Sequence, residues 1–156
     1  MSELLIRDAA VEDLPRVVEL LQQMSLGKRR EDAGLPLPDA YYAAFEEIKA
    51  DPRQRLLVIV HGRRVVGTAS FIILPNLSYG GRPHALIENV VVDETERGKG
   101  LGERLVRYCL DQARAAGCTR LSLTTDAQRL DAHRFYERLG FQHSHKGFRY
   151  TFDADH

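Results

Sequence analysis

Three glycines stand at alternate positions in VVVDETERGKGLGERLV, residues 90–106: Gly98, Gly100 and Gly102. Arg97 and Lys99 flank the first of them, and Val90, Val91 and Val92 run in just before. Glycine is costly inside a regular element, so a cluster at a strand-to-helix junction lets the backbone come close to something. A helix starting here has free amide N–H groups and the positive end of its dipole in the first turn. Missing Cβ atoms open that turn and two cations add charge. The combination is an anion site, suited to a phosphate.

Two well-known phosphate loops do not fit. Gly98-Lys99-Gly100-Leu101 has no Ser or Thr after the lysine, which a Walker loop requires. A dinucleotide fingerprint needs glycine where Glu103 stands, and five residues separate Val92 from Gly98. Other reactive residues make weaker patterns. His143 and His145 have strand spacing but no further clear ligands for a metal. Cys109 and Cys118 form no CxxC and read as small buried residues of a reducing compartment, with nothing nearby built to lower a thiol's pKa.

The elements that must position these groups follow from periodicity. LLIR (4–7) is a short strand, and Val11, Leu14, Val17, Val18 and Leu21 have helix spacing, with Asp8 or Asp13 as the cap. Residues 25–39 form a polar loop that contains the charge run KRRED (28–32). A helix over 40–50 stops at Asp51-Pro52. RLLVIVHG and RVVGTASFIILP are strands joined by a hairpin, and ALIENVVVD (85–93) is another. A helix runs from about 100 to 116, its apolar residues Leu101, Leu105, Cys109 and Ala113 recurring every fourth position. A strand over 119–125, a helix over 129–140 and a last strand, FRYTF (148–152), complete the chain. The order predicts an α/β (α+β) fold: a mixed, mostly antiparallel twisted sheet, helices on both faces, and a central parallel β-α-β unit.

The 156 residues suit one domain, 1–156. Lys+Arg and Asp+Glu are both 22, which argues against a nucleic-acid binder. No run is long enough to span a bilayer, and the N-terminus lacks a signal-peptide pattern, so neither a membrane nor a secretory role is expected.

RGKGLG resembles the R/Q-x-x-G-x-G/A signature of the GNAT superfamily of acyl-CoA-dependent N-acyltransferases. AHRFYERLGF (132–141) resembles that family's second signature. By order of elements the resemblance runs from about Leu56 to Phe152, and the N-terminal two-helix segment fits without a motif of its own. The resemblance implies that Arg97, Gly98, Lys99, Gly100, Leu101, Gly102 and Glu103 hold the pyrophosphate of coenzyme A, chiefly through their amides. It implies that Val90, Val91 and Val92 pair with pantetheine as an added strand would. Tyr136 stands where many members have the tyrosine that protonates the departing thiolate; as a bare residue it also reads as a core aromatic. Glu88 stands where some members place a carboxylate base, and equally reads as a solvated or ion-paired side chain; strict alternation puts it on the face of Val90 and Val92, while the resemblance implies a bulge here that re-aims side chains. His84 and His133 are spare bases. Arg129 replaces an asparagine that many members use to contact pantetheine, which puts that contact in doubt.

The resemblance therefore implies a cytoplasmic N-acetyltransferase that uses acetyl-CoA as cosubstrate, needs no metal and transfers directly to a primary amine of a small molecule. A homodimer is the assembly it implies. Acetylation of protein lysines or N-termini, and acyl-CoA sensing without turnover, are the alternatives. KRRED (28–32) reads as a solvated loop, and the resemblance also implies that this segment bounds the acceptor pocket; Tyr41, Tyr42, Phe45 and Tyr79 are candidates to line that pocket, with Tyr42 and Phe45 the better candidates for core.

Overall fold

A computed structural model describes residues 3–24, 31–125 and 130–153. Lys28, Arg29, Arg30 and Arg129 lie outside the described residues. The chain forms two compact units, Met1–Ser122 and Leu123–His156.

The first unit is built on a five-stranded sheet in the order β1 (Leu4–Asp8), β2 (Gln54–His61), β3 (Arg64–Leu74), β4 (His84–Val92), β5 (Leu121–Ser122). Neighbours among β1–β4 are antiparallel, and β5 runs parallel to β4. The parallel pair is joined through helix α4 (Leu101–Ala115), the crossover that such a pair requires. Helices α1 (Leu14–Gln22) and α2 (Asp39–Ala50) lie between β1 and β2 in sequence. A single turn, α3 (Ser78–Gly81), links β3 to β4, with Tyr79 and Gly80 at positive φ. The mixed fold is present, and the element order read from periodicity holds through α5 (Leu130–Arg138).

Alternation along β2 separates two layers. Val58 and Val60 pack with Val17 and Leu20 of α1, and Leu56 lies against the same cluster. Arg55, of opposite parity, reaches α4 instead: its guanidinium donates to the Tyr108 hydroxyl at 2.9 Å and the Gln112 carbonyl at 3.1 Å. The apolar stripe of α4 (Leu101, Leu105, Val106, Cys109, Ala113) is buried in full. Helices therefore cover both faces, as the pattern predicts. Neither expected cap serves α1: Asp13 takes the Ala10 N–H at 2.7 Å and the Arg7 guanidinium, and Asp8 pairs with Arg55.

Between Glu88 and Val91 the register of β4 against β3 slips by one residue. Ser70 faces Glu88 and Thr68 faces Val91, so Asn89 and Val90 together oppose Ala69, a β-bulge. Asn89 sits at φ 53, the left-handed region that asparagine tolerates better than most residues. The extra residue inverts the alternation. Glu88 falls on the α1/α2 face together with Val91, not with Val92 as strict alternation predicts.

In the second unit, α5 spans Leu130–Arg138. The expected strand over 148–152 is absent: the segment has no ladder among the described residues, and Phe148, Tyr150 and Phe152 are exposed. Alternation supplies one apolar face, but a strand also needs a neighbour to take its N–H and C=O groups.

Asp93 ends β4 and is 3% exposed. Its carboxylate pairs with Arg16 of α1, lies 3.3 Å from the Arg64 guanidinium, and accepts the Thr95 N–H at 3.1 Å. Burial pushes this carboxyl up, but the Thr95 amide and Arg16 together outweigh it and hold the pKa at about 2, against an ordinary 3.8. A carboxyl whose pKa is depressed by folding stabilises above its unfolded pKa and stops doing so as the pH falls through its folded one. Asp93 thus contributes about 2 kcal/mol at neutral pH, lost between about pH 4 and about pH 2. Thermal melts of wild type and Asp93→Asn across that range read it. The variant melts about 5 °C or more lower at neutral pH, and the gap narrows below about pH 3. Equal melting points at neutral pH would remove the strut.

Candidate active site

Asp93 also sets the entry to the glycine loop. Its N–H donates to Val66 O at 2.8 Å, its carbonyl accepts Glu96 N–H at 2.8 Å, and the turn Glu94–Glu96 follows. Gln23, just past α1, takes the Glu94 N–H at 3.0 Å. The chain then passes Arg97 and enters α4 through Gly98 at φ 83 and Gly100 at φ 78. A Cβ on either glycine would meet nothing within 4 Å. The backbone conformation demands glycine there, and the space ahead of it is open.

Gly100 is the N-cap of α4 and gives no side-chain cap; the helix's own bonding begins with Arg104 N–H to Gly100 O at 3.1 Å. Leu101 is buried and anchors the turn, while Gly102 and Glu103 are half-buried. This end of α4 is formed as an anion site needs. Its two cations differ. Arg97 is exposed with no partner among the described residues. Lys99 donates to Glu96 at 2.7 Å, and Glu96 also lies 3.6 Å from His61 Nδ1. Lys99 holds the Glu96 carboxyl below its usual range. Glu103 pairs with Arg107 at 3.1 Å.

The strand before the loop has a free side. The ladder between β4 and β5 covers only Ala85 and Leu86, so within this unit Val91 and Val92 are paired on the β3 side alone and Val90 belongs to the bulge. Val91 is buried, and Val90 and Val92 are half-buried. Main-chain pairing and side-chain packing thus coexist there. Glu88 and Asn89 are exposed. An open cleft of about 100 Å³ lies beside the bulge, lined by Leu21, Met24, Glu31 and Asn89.

Several sequence candidates fall elsewhere. His84 and Tyr79 lie at the opposite end of β4 from the loop, and His84 Nδ1 is buried without a partner. Phe45 is core, with Tyr41 and Tyr42 packed against its cluster. Burial pushes the Cys109 thiol up to about 12 and raises Cys118 as well, so neither is built as a nucleophile. No group of three or more His, Cys, Asp or Glu among the described residues could hold a metal. No helix among them is long and apolar enough to cross a membrane. In the second unit, Tyr136 packs edge-on to Phe135 and Phe141, at 5.0 and 5.5 Å between ring centres, and His133 lies 5.8 Å from His143.

Sequence reasoning missed Asn89, Asp93 and Glu96, and held Glu31 only as one residue of the KRRED segment at the acceptor pocket. Only Asn89 carried a local signal, an asparagine in a β-branched run. Asp93 acts through Arg16 and Arg64, both distant in sequence, and Glu96 through Lys99, three residues on, and through His61.

The model of the acetyltransferase (GNAT) family matches residues 18–141. A glucosamine 6-phosphate N-acetyltransferase of Trypanosoma brucei brucei is 42% identical over 79 residues, 51% of this chain and 52% of that protein. The chain thus spans about half the length of that relative. An aminoalkylphosphonate N-acetyltransferase of Salmonella typhimurium is 30% identical over 146 residues, 94% of this chain and 88% of that protein. A crystal structure described as a transcriptional regulator from Bacillus halodurans C-125 is 41% identical, with a TM-score of 0.92 over 96% of this chain and all of that one.

The left-handed residue of the bulge predicts a substitution pattern. Asn89→Gly stays within about 1 kcal/mol of wild-type stability, whereas Asn89→Val, β-branched at φ 53, costs about 1–2 kcal/mol. Denaturant melts compare the two. A valine variant as stable as wild type would mean that the bulge is not strained.

Proposed function

The chain belongs to the acetyltransferase (GNAT) family, and on that premise we propose that it moves an acetyl group from acetyl-CoA directly to a primary amine of a small molecule. The carrying observation is the opening of α4: two positive-φ glycines, open space before them, uncapped amides and an unpaired Arg97. Residues Arg97 to Glu103 would hold the pyrophosphate, and the free side of Val90–Val92 would pair with pantetheine.

Acetyl-CoA supplies an activated acyl group as a thioester. The neutral amine attacks its carbonyl carbon, a C–N bond forms and the C–S bond breaks. An N–H near Val91 would polarise the carbonyl. Tyr136 is the proposed donor of the proton taken up by the thiolate, a task a neutral phenol can perform. Glu88, exposed on the α1/α2 face, is the proposed base for the proton lost by nitrogen, directly or through water. The raised Cys109 and Cys118 thiols support direct transfer over a cysteinyl intermediate.

The family match at 18–141 crosses the boundary between the two compact units, which supports one catalytic domain over both. A small-molecule acceptor is favoured by the relatives named for glucosamine 6-phosphate and aminoalkylphosphonates. The relative described as a transcriptional regulator favours a second reading, a module that senses acyl-CoA without turnover. A cytoplasmic location and a homodimer complete the proposal by kinship alone.

Thermal-shift titration with acetyl-CoA, CoA, ATP and NAD tests the premise. At 100 times its Kd a ligand adds about 2.7 kcal/mol, a shift of several degrees here. Both CoA species shift the melt and the two nucleotides do not. Absence of a shift with either CoA species overturns the reading. Gly100→Ala weakens acetyl-CoA by about tenfold or more, and Arg97→Ala by less, because the amides carry the contact. Tyr136→Phe lowers kcat with little change in the KM for acetyl-CoA.

A further inference from the structure

We infer that the cleft beside the β4 bulge takes the ammonium-bearing alkyl arm of a diamine, with Glu31 as its ion-pair partner. The inference rests on the transferase reading and names the acceptor of that site. The cleft holds about 100 Å³, room for roughly three or four methylene-sized groups. Its lining is mainly polar: Glu31 and Asn89 give it oxygen acceptors, and Leu21 and Met24 leave a smaller apolar share for a short run of methylenes.

The Glu31 carboxylate is held before any ligand arrives. Tyr41 of α2 donates its hydroxyl to Glu31 Oε1 at 3.0 Å and accepts the Asp32 N–H at 2.9 Å. Gln22 of α1 donates to the Glu31 carbonyl at 3.2 Å. Burial, with the Glu31 carboxylate beside it, pushes the Tyr41 phenol up, so this bond keeps its proton on tyrosine. The other carboxylate oxygen has no partner among the described residues. A fixed, half-buried carboxylate with one free oxygen pairs with an ammonium more strongly than a loose surface one. Asn89 adds a carboxamide to the lining, at the left-handed turn of the bulge.

The same carboxylate disfavours a phosphate or phosphonate, which would bring like charge into a partly desolvated cleft. The acceptor of this chain therefore differs from those that give the relatives their names. One amine of the diamine is held at Glu31 as ammonium. The other, neutral, attacks the acetyl carbon, and the products are a mono-acetylated diamine and the free thiol of CoA.

The test follows release of CoA thiol with putrescine, n-butylamine, aminoethylphosphonate and glucosamine 6-phosphate, for wild type and Glu31→Gln. Glutamine keeps an oxygen for Tyr41 and removes the charge. Wild type shows a KM for putrescine about tenfold or more below that for n-butylamine, as one partly buried ion pair gives. Glu31→Gln brings the two within about twofold and leaves the KM for acetyl-CoA unchanged. An intact diamine preference in Glu31→Gln overturns the inference, as does preference of wild type for either phosphorus-bearing amine. The acetyl-CoA thermal shift separates the two levels. A shift without putrescine turnover overturns this inference alone, and no shift overturns the transferase reading and this one together.

Discussion

One extra residue in β4 governs the rest of the arrangement. A strand has a period of two, so a single insertion transfers every later side chain to the other face. Before the bulge Ile87 is buried and Glu88 is exposed; after it Val91 joins Val17, Leu20 and Val58 on the α1 side. Without the insertion, the buried valine and the exposed carboxylate could not share a face. The cost is a non-glycine residue at φ 53, on the order of 1 kcal/mol, which the flanking ladders to β3 sustain.

The strand then has to be turned into a helix without losing its direction. Asp93 does this from a buried position, with Arg16 arriving from α1, Arg64 from β3 and the Thr95 amide from the loop itself. Gln23 adds a second tie from the same helix to Glu94. Helix α1 and the turn that follows it thereby reach the entry to the glycine loop through Arg16 and Gln23, and the cleft through Leu21 and Met24. Two loops far apart in sequence are referred to one rigid element, which is how binding sites on loops acquire fixed geometry.

Periodicity and glycine placement made most of the frame legible. The stripe of α4, the hairpin at Gly62-Arg63, the stop at Asp51-Pro52 and the parallel pair all follow from local rules. What stayed hidden depends on partners. By its residues alone IENVVV reads as an unbroken strand; the family resemblance implies a bulge, and the ladder to β3 fixes it at Asn89 and Val90. FRYTF alternates as a strand should, yet strand formation is decided by a neighbour that the alternation does not specify. Glu31 lay within a charge run whose bland reading is a solvated loop, and only the contact with Tyr41 separates it from its neighbours. Asp93 and Glu96 could be counted as carboxylates from the sequence, but their pairing with Arg16 and Lys99 belongs to the fold.

The pairing of Lys99 with Glu96 has an electrostatic consequence at long range. With that cation paired at 2.7 Å, Arg97 is the loop cation left without a partner among the described residues, and exposed Glu94 offsets its charge from three residues away. Beyond a Debye length of about 8 Å at physiological ionic strength, such a loop exerts almost no pull. Abundant small anions are then not concentrated at the turn by its field. A ligand is selected at contact, where amide directions and the shape of the opening act. Encounter at this site should accordingly be slow to respond to ionic strength, unlike that of a protein that gathers its partners by charge.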